Sequence, residues 1–204
     1  MFMIQQILDI IFPPKRDALV VRTLSVDDIL EHLYPTNVNG AIALLPYRVR
    51  AIGALVREAK FNGSVRAWEL LAVTLSEYLL EYLGDQHAYE ERVVVLVPIP
   101  LSKKRYRERG YNQVEEVLKR VSVPDVRTMP RALKRVRHTK AQTSLTKRSR
   151  MENLAGAFYA EAADPTYLYM VIDDVTTTGA TLHDAVRALT ETGALHVHAV
   201  ALSH

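Results

Sequence analysis

The run from Tyr169 to Leu182 constrains the fold more than any other part of the chain. An apolar stretch, Tyr169-Met170-Val171-Ile172, passes without a break into Asp173-Asp174-Val175-Thr176-Thr177-Thr178-Gly179-Ala180-Thr181, and a helical pattern over 180–191 follows. A strand that turns straight into a helix belongs in an α/β sheet, whose strand carboxyl ends open onto the crevice where ligands bind. A second buried strand is read at 92–97, RVVVLV, a β-branched run of the kind covered on both faces. Pro98 and Pro100 end it. Further strands are expected at 126–129, 157–160, 167–172 and 194–202, with helices at about 111–121 and 180–191. The alternation predicts an α/β fold from about residue 88 onward, a mainly parallel sheet flanked by helices.

Upstream of that point the apolar residues recur at helical spacing between Arg48 and Leu83, with a break near Phe61-Asn62-Gly63. Two helices are expected, the second from about Ser64 through Trp68, Leu71, Leu75 and Leu79. Residues 1–46 read as an irregular, helical N-terminal appendage to a domain over 47–204. Within it Ser25 caps a helix over 26–34, Asp27 and Asp28 suit its first turn, and Pro35 and the 37–40 stretch end it. Met1 to Phe12 reads as a short amphipathic helix stopped at Pro13-Pro14, without a signal peptide's basic leader or small-residue cleavage site.

Composition narrows the chemistry. With 49% hydrophobic and 24% charged residues the chain is that of an ordinary globular protein. It has no cysteine, which excludes disulfides, thiolate zinc clusters and a cysteine nucleophile, and fits a cytoplasmic setting. No apolar run approaches the roughly 20 residues of a membrane span. The net charge of +3 hides an asymmetry. Lys103, Lys104, Arg105, Arg107 and Arg109 form one basic block, and nine further Lys and Arg residues lie between Arg127 and Arg150. Only Glu108 opposes them within these blocks, and the rest of the chain is acidic. Such concentration favours phosphates, on a small ligand or on nucleic acid.

The residues after Ile172 suit a phosphorylated ribose and a divalent metal. Adjacent carboxylates at a strand's carboxyl end, Asp173 and Asp174, suit ribose hydroxyls or the waters of Mg²⁺. Thr177, Thr178 and Thr181 bring hydroxyls to a helix N-terminus, where unpaired amides and the helix dipole favour an anion. Gly179 permits close backbone approach or a positive φ. Capping alone accounts for a Thr-Gly pair, but does not call for two carboxylates and three threonines together.

The string VIDDVTTTGAT resembles the ribose-phosphate motif of type I phosphoribosyltransferases, which bind 5-phosphoribosyl-1-pyrophosphate (PRPP) with Mg²⁺. Within them the chain resembles the ComF family of competence and DNA-utilisation proteins, including GntX-like members. Val97-Pro98-Ile99-Pro100-Leu101, Arg105 and Arg109-Gly110-Tyr111-Asn112-Gln113 are similar to one family block, and Gln142, Leu145, Arg150, Asn153 and Gly156-Ala157-Phe158 to another. Tyr47, Lys60 and Gly63 resemble the region ahead of the core, so the likeness covers roughly residues 45–204. It implies a type I phosphoribosyltransferase-like fold and a phosphoribosyl site on Thr176, Thr177, Thr178, Gly179, Ala180 and Thr181. Asp173 and Asp174 would position the ribose and hold Mg²⁺, directly or through water. Ser102, Lys103, Lys104 and Arg105 fall where the family's pyrophosphate loop lies.

The resemblance also puts a loop that closes over PRPP near Arg137, His138, Lys140 and Gln142, with Arg150 beyond. The same run equally suits a nucleic-acid backbone or plain solvation. Asn112 reads as a helix N-cap, while Tyr111 and Gln113 either pack or face the crevice. Many family members carry an N-terminal cysteine cluster that looks zinc-binding; this chain has none, so Mg²⁺ and no zinc is the expectation. Three functions follow from the likeness: phosphoribosyl transfer to a nitrogen nucleophile, non-catalytic sensing of PRPP or a nucleotide, and handling of single-stranded DNA in DNA uptake. A homodimer is common in this fold, and no membrane insertion is expected.

Overall fold

A computed structural model describes residues 16–86, 92–136 and 156–204. The helix expected before Pro13-Pro14 and the candidates Arg137, His138, Lys140, Gln142 and Arg150 lie outside the described residues.

A six-stranded sheet organises the molecule. Its strands are β1 (Thr36–Val38), β2 (Ala41–Leu45), β3 (Val94–Pro98), β4 (Val126–Thr128), β7 (Leu168–Val175) and β8 (His196–Ser203), in the spatial order β1-β2-β8-β7-β3-β4. Every neighbouring pair is parallel except β1 with β2. A separate antiparallel pair joins β5 (Leu133–Arg135) to β6 (Phe158–Ala160). The expected α/β architecture with a mostly parallel sheet is present. Its runs of Val, Ile and Leu are buried on both faces, as β3 shows at all five positions.

Alternation along β7 divides the core. Met170 and Ile172 face one layer, with Leu71, Leu75 and Leu79 of the long helix α4 (Val65–Gln86) and Val114 and Val117 of α6 (Gln113–Leu118). Tyr169 and Val171 face the other, with Leu182, Ala185 and Leu189 of α7 (Ala180–Glu191) and with Leu133 and Phe158 of the β5–β6 pair. The first layer also holds α1 (Arg16–Thr23), α2 (Val26–Leu30) and α3 (Arg50–Arg57). Among the described residues, no helix is long and apolar enough to cross a membrane.

The break expected at Phe61-Asn62-Gly63 is a π-helical turn, Glu58–Asn62, closed by Gly63 in the left-handed region (φ +63°). Ser25 caps α2 through a reciprocal capping box with Asp28, but the helix ends at Leu30 rather than at residue 34. Residues 36–45 were read as irregular and instead form β1 and β2, the latter paired with β8. The stretch after Pro100, where the resemblance puts a pyrophosphate loop, is a helix, α5 (Lys103–Arg109), capped by Ser102 and ended by Gly110 at φ +81°.

Candidate functional site

The chain leaves β3 toward β4 on one side and leaves β7 toward β8 on the other, so the connections diverge between β3 and β7. At such a switch point an open sheet presents a crevice beyond its strand carboxyl ends. Ile99 N–H donates to Ile172 O at 2.9 Å and holds the two strand ends together. Asp173 and Asp174 project at this place, one to each face.

Asp174 faces the helical layer and is buried. Its Oδ2 lies 2.6 Å from Lys60 Nζ and accepts a hydrogen bond from Gln113 Nε2 at 2.7 Å. Gln113 Oε1 in turn accepts from Arg109 Nη1 at 2.9 Å, and the Arg109 guanidinium lies 5.2 Å from the Phe61 ring centre. A cation and an amide therefore converge on one carboxylate oxygen, and contacts of this charge-assisted kind are strong. Lys60 reaches this oxygen from the π-helical turn, a feature often found at functional sites.

Asp173 faces the other layer. Its Oδ1 accepts the Asp174 N–H at 2.8 Å. Desolvation, and then the charge of Asp174, pushes the Asp173 carboxyl up to about 7, with Lys60 pulling the other way. Arg135 of β5 lies within electrostatic range: burial and Arg105 disfavour its charge, whereas Asp173 and Asp184 favour it.

Beyond the pair, the cradle has a defined shape. Thr176 is buried, with its N–H donating to Ser203 O at 3.0 Å, so it extends the strand rather than the loop. Thr177 is exposed, and its carbonyl accepts from Asn39 Nδ2 at 3.1 Å. Gly179 is the N-cap of α7 at φ +73° and offers no side-chain cap. A Cβ there would sit 3.0 Å from the Asn39 carbonyl oxygen, so the β1–β2 turn closes tightly on the loop. Thr178 Oγ1 lies 3.4 Å from the Ala180 N–H, and Thr181 stands half-buried in the first turn. A helix start whose N-cap residue has no side chain, flanked by threonines, is suited to an anion.

The remaining candidates are more scattered. Ser102 uses its Oγ to cap α5 by accepting from Arg105 N–H at 3.3 Å. Lys103, Lys104 and Arg105 are exposed on α5, and Lys104 lies 3.8 Å from Glu108. Of these basic residues, Arg105 lies near enough to Arg135 for the two positive charges to oppose each other. Asn39, Arg135 and Asp184 are not among the sequence candidates for the site, and Lys60 enters the sequence reading only through the resemblance ahead of the core. Asp184 of α7 accepts from the amides of Gly156, Ala157 and Phe158 at 2.9, 2.8 and 3.2 Å, fastening the GAF block to the cradle helix.

The donor set suits one kind of metal. Among the described residues no three His, Cys, Asp or Glu side chains cluster as a metal cage. Asp174 already has two donors on one oxygen, which leaves Asp173 as the better-placed ligand. One or two carboxylates, with ligand phosphates and water supplying the rest, is how Mg²⁺ is commonly held.

These features define an α/β protein with a carboxylate pair and a helix-start cradle at the switch point of a parallel sheet. No family model matches the sequence. Over 160 residues it is 31% identical to competence protein F of Haemophilus influenzae, covering 74% of this chain and 67% of that protein. It is 36% identical to competence protein ComFC of Bacillus subtilis (66% and 51% covered) and 30% identical to DNA utilization protein YhgH of Salmonella typhi (72% and 64%). The chain belongs to the ComF family. It spans about half to two thirds of the length of these curated relatives.

Proposed function

We propose that this protein binds a phosphoribosyl ligand, PRPP or a nucleotide, together with Mg²⁺ at the carboxyl end of β7, within a type I phosphoribosyltransferase-like fold, and serves the uptake or use of DNA. The observation that carries the ligand reading is the start of α7 at Gly179, an N-cap without a side chain, five residues after the Asp173-Asp174 pair. The names of the relatives support the biological setting: competence and DNA utilization.

In this reading the 5-phosphate sits against the amides from Gly179 to Thr181, with Thr177, Thr178 and Thr181 donating hydroxyls. Asp173 accepts from ribose hydroxyls or metal-bound water. Asp174 stays paired with Lys60 and Gln113 and sets the orientation of the loop. Bound Mg²⁺ would neutralise charge on the pyrophosphate oxygens. Arg135, whose charge Asp173 favours, and Arg105 beside it would stabilise that charge further. Transfer of the phosphoribosyl group to a nitrogen nucleophile would require only positioning and electrostatics of this kind, with no protein nucleophile.

Calorimetric titration of PRPP with Mg²⁺ into the wild-type protein and an Asp173→Asn variant tests the reading. Micromolar binding that falls at least tenfold in the variant, with its melting transition intact, is the expected result. Absence of binding by folded wild-type protein at millimolar PRPP would falsify it.

A further inference from the structure

Phe61 is 62% exposed, although Glu58 and Ala59 of the same π-helical turn are buried. The turn that presents it is fixed from several directions. Asn62 Nδ2 donates to Glu58 Oε1 at 2.6 Å, Trp68 Nε1 donates to Ala59 O at 3.1 Å, and Ser64 N–H donates to Glu58 O at 3.3 Å. Gly63 packs so closely under Tyr111 that a Cβ would lie 3.3 Å from its Cε1. The turn buries Ala59 in the core yet leaves the large apolar ring of Phe61 in water, where the core does not account for it. It does place two consecutive residues at the site: Lys60 on Asp174, and Phe61 beneath the guanidinium of Arg109.

From this arrangement we infer that Phe61 and Arg109 form a stacking platform for the base of a nucleotide whose phosphoribosyl part occupies the cradle. The inference rests on the phosphoribosyl reading and adds to it the residues that contact the base. A planar base finds an exposed phenyl face on Phe61 and a cation held beside it. Arg109 is fixed for this role by Gln113, whose amide also binds Asp174, so platform and carboxylate are joined by one chain of hydrogen bonds. Hydrophobic and cationic recognition together accept any aromatic base and discriminate mainly against ligands without one.

The test compares adenosine 5′-monophosphate with ribose 5-phosphate, both with Mg²⁺, on wild-type protein and on Phe61→Ala and Phe61→Tyr. Stacking on an aromatic side chain is worth roughly 5- to 150-fold in affinity. Wild-type protein is therefore expected to hold the nucleotide at least fivefold more tightly than the sugar phosphate. Phe61→Ala removes that difference while leaving ribose 5-phosphate within twofold, and Phe61→Tyr retains it. Equal affinity of the two ligands for wild-type protein, or equal weakening of both by Phe61→Ala, overturns the platform and leaves the cradle standing. If neither ligand binds, platform and cradle fall together.

Discussion

Neighbouring carboxylates on a strand look to opposite faces of the sheet, and in this protein the two faces treat charge differently. Asp174 meets Lys60 and Gln113, whereas Asp173 is desolvated beside another carboxylate and is raised to about 7. A carboxyl whose folded value lies above its unfolded value of about 3.9 favours folding fully below that value. That contribution is lost as pH rises through about 7. In metal-free buffer, Asp173→Asn is therefore expected to raise the melting temperature by about 8–16 °C at pH 8 and to change it little at pH 4. Differential scanning calorimetry at the two values decides the matter, and an equal shift at both would show that ionisation of Asp173 is not the cause. A ligand site that gains stability when its charged residue is neutralised is a familiar trade-off. The contiguous part of this site was legible in the sequence, since one strand, one loop and one helix start carry it. Lys60, Asn39 and Arg135 were not, because each reaches the carboxylates from a separate element, and no local pattern records that approach.

At the scale of elements, α5 shows what periodicity misses. KKRYRER has no buried residue in the structure, so no apolar stripe announces the helix. It is set by its ends, the Ser102 cap and left-handed Gly110. The consequence is a short rod with Lys103, Lys104, Arg105, Arg107 and Tyr106 all exposed. Lys103, Tyr106 and Arg107 also line a cavity of about 400 Å³ with Asn112 and Glu115. If DNA use is the protein's setting, this rod is the described element best matched to a single-stranded backbone. Lys103→Ala/Arg107→Ala is expected to weaken binding of a single-stranded oligonucleotide, and to make the slope of log K against log salt shallower by about 1.4, for two lost phosphate contacts. Fluorescence anisotropy across a salt series measures it; absent binding, or binding indifferent to salt, rules out α5 as a DNA contact. The strands β1 and β2 escaped notice for a related reason. AIALL is too short and too rich in alanine to be told from a helical fragment, and its pairing with β1 and β8 makes it a strand.

For the whole molecule, the alternation of strands and helices made the α/β class and most of β3, β7, α7 and β8 readable, while sheet order depended on contacts far apart in sequence. Ile42 pairs with Val200 and Leu45 with Ser203. Tyr47 N–H also donates to His204 O, and His204 N–H to Leu45 O. These pairings bear on the boundary expected at residue 46. A chain beginning at residue 47 would expose one side of β8 and lose the Asn39 contact on the cradle loop. Such a chain is expected to lose a cooperative thermal transition, or to melt at least 10 °C lower and aggregate. An unchanged transition would instead establish 47–204 as an independent unit.

The same pairing imposes an order in time. As the chain is synthesised from its N-terminus, β2 emerges early but its parallel partner β8 only some 150 residues later. At roughly 5–20 residues per second that interval is on the order of ten seconds, far longer than a hairpin or helix needs to form. During it the edge of β2 that β8 will cover waits without its partner, an exposure that the finished sheet removes.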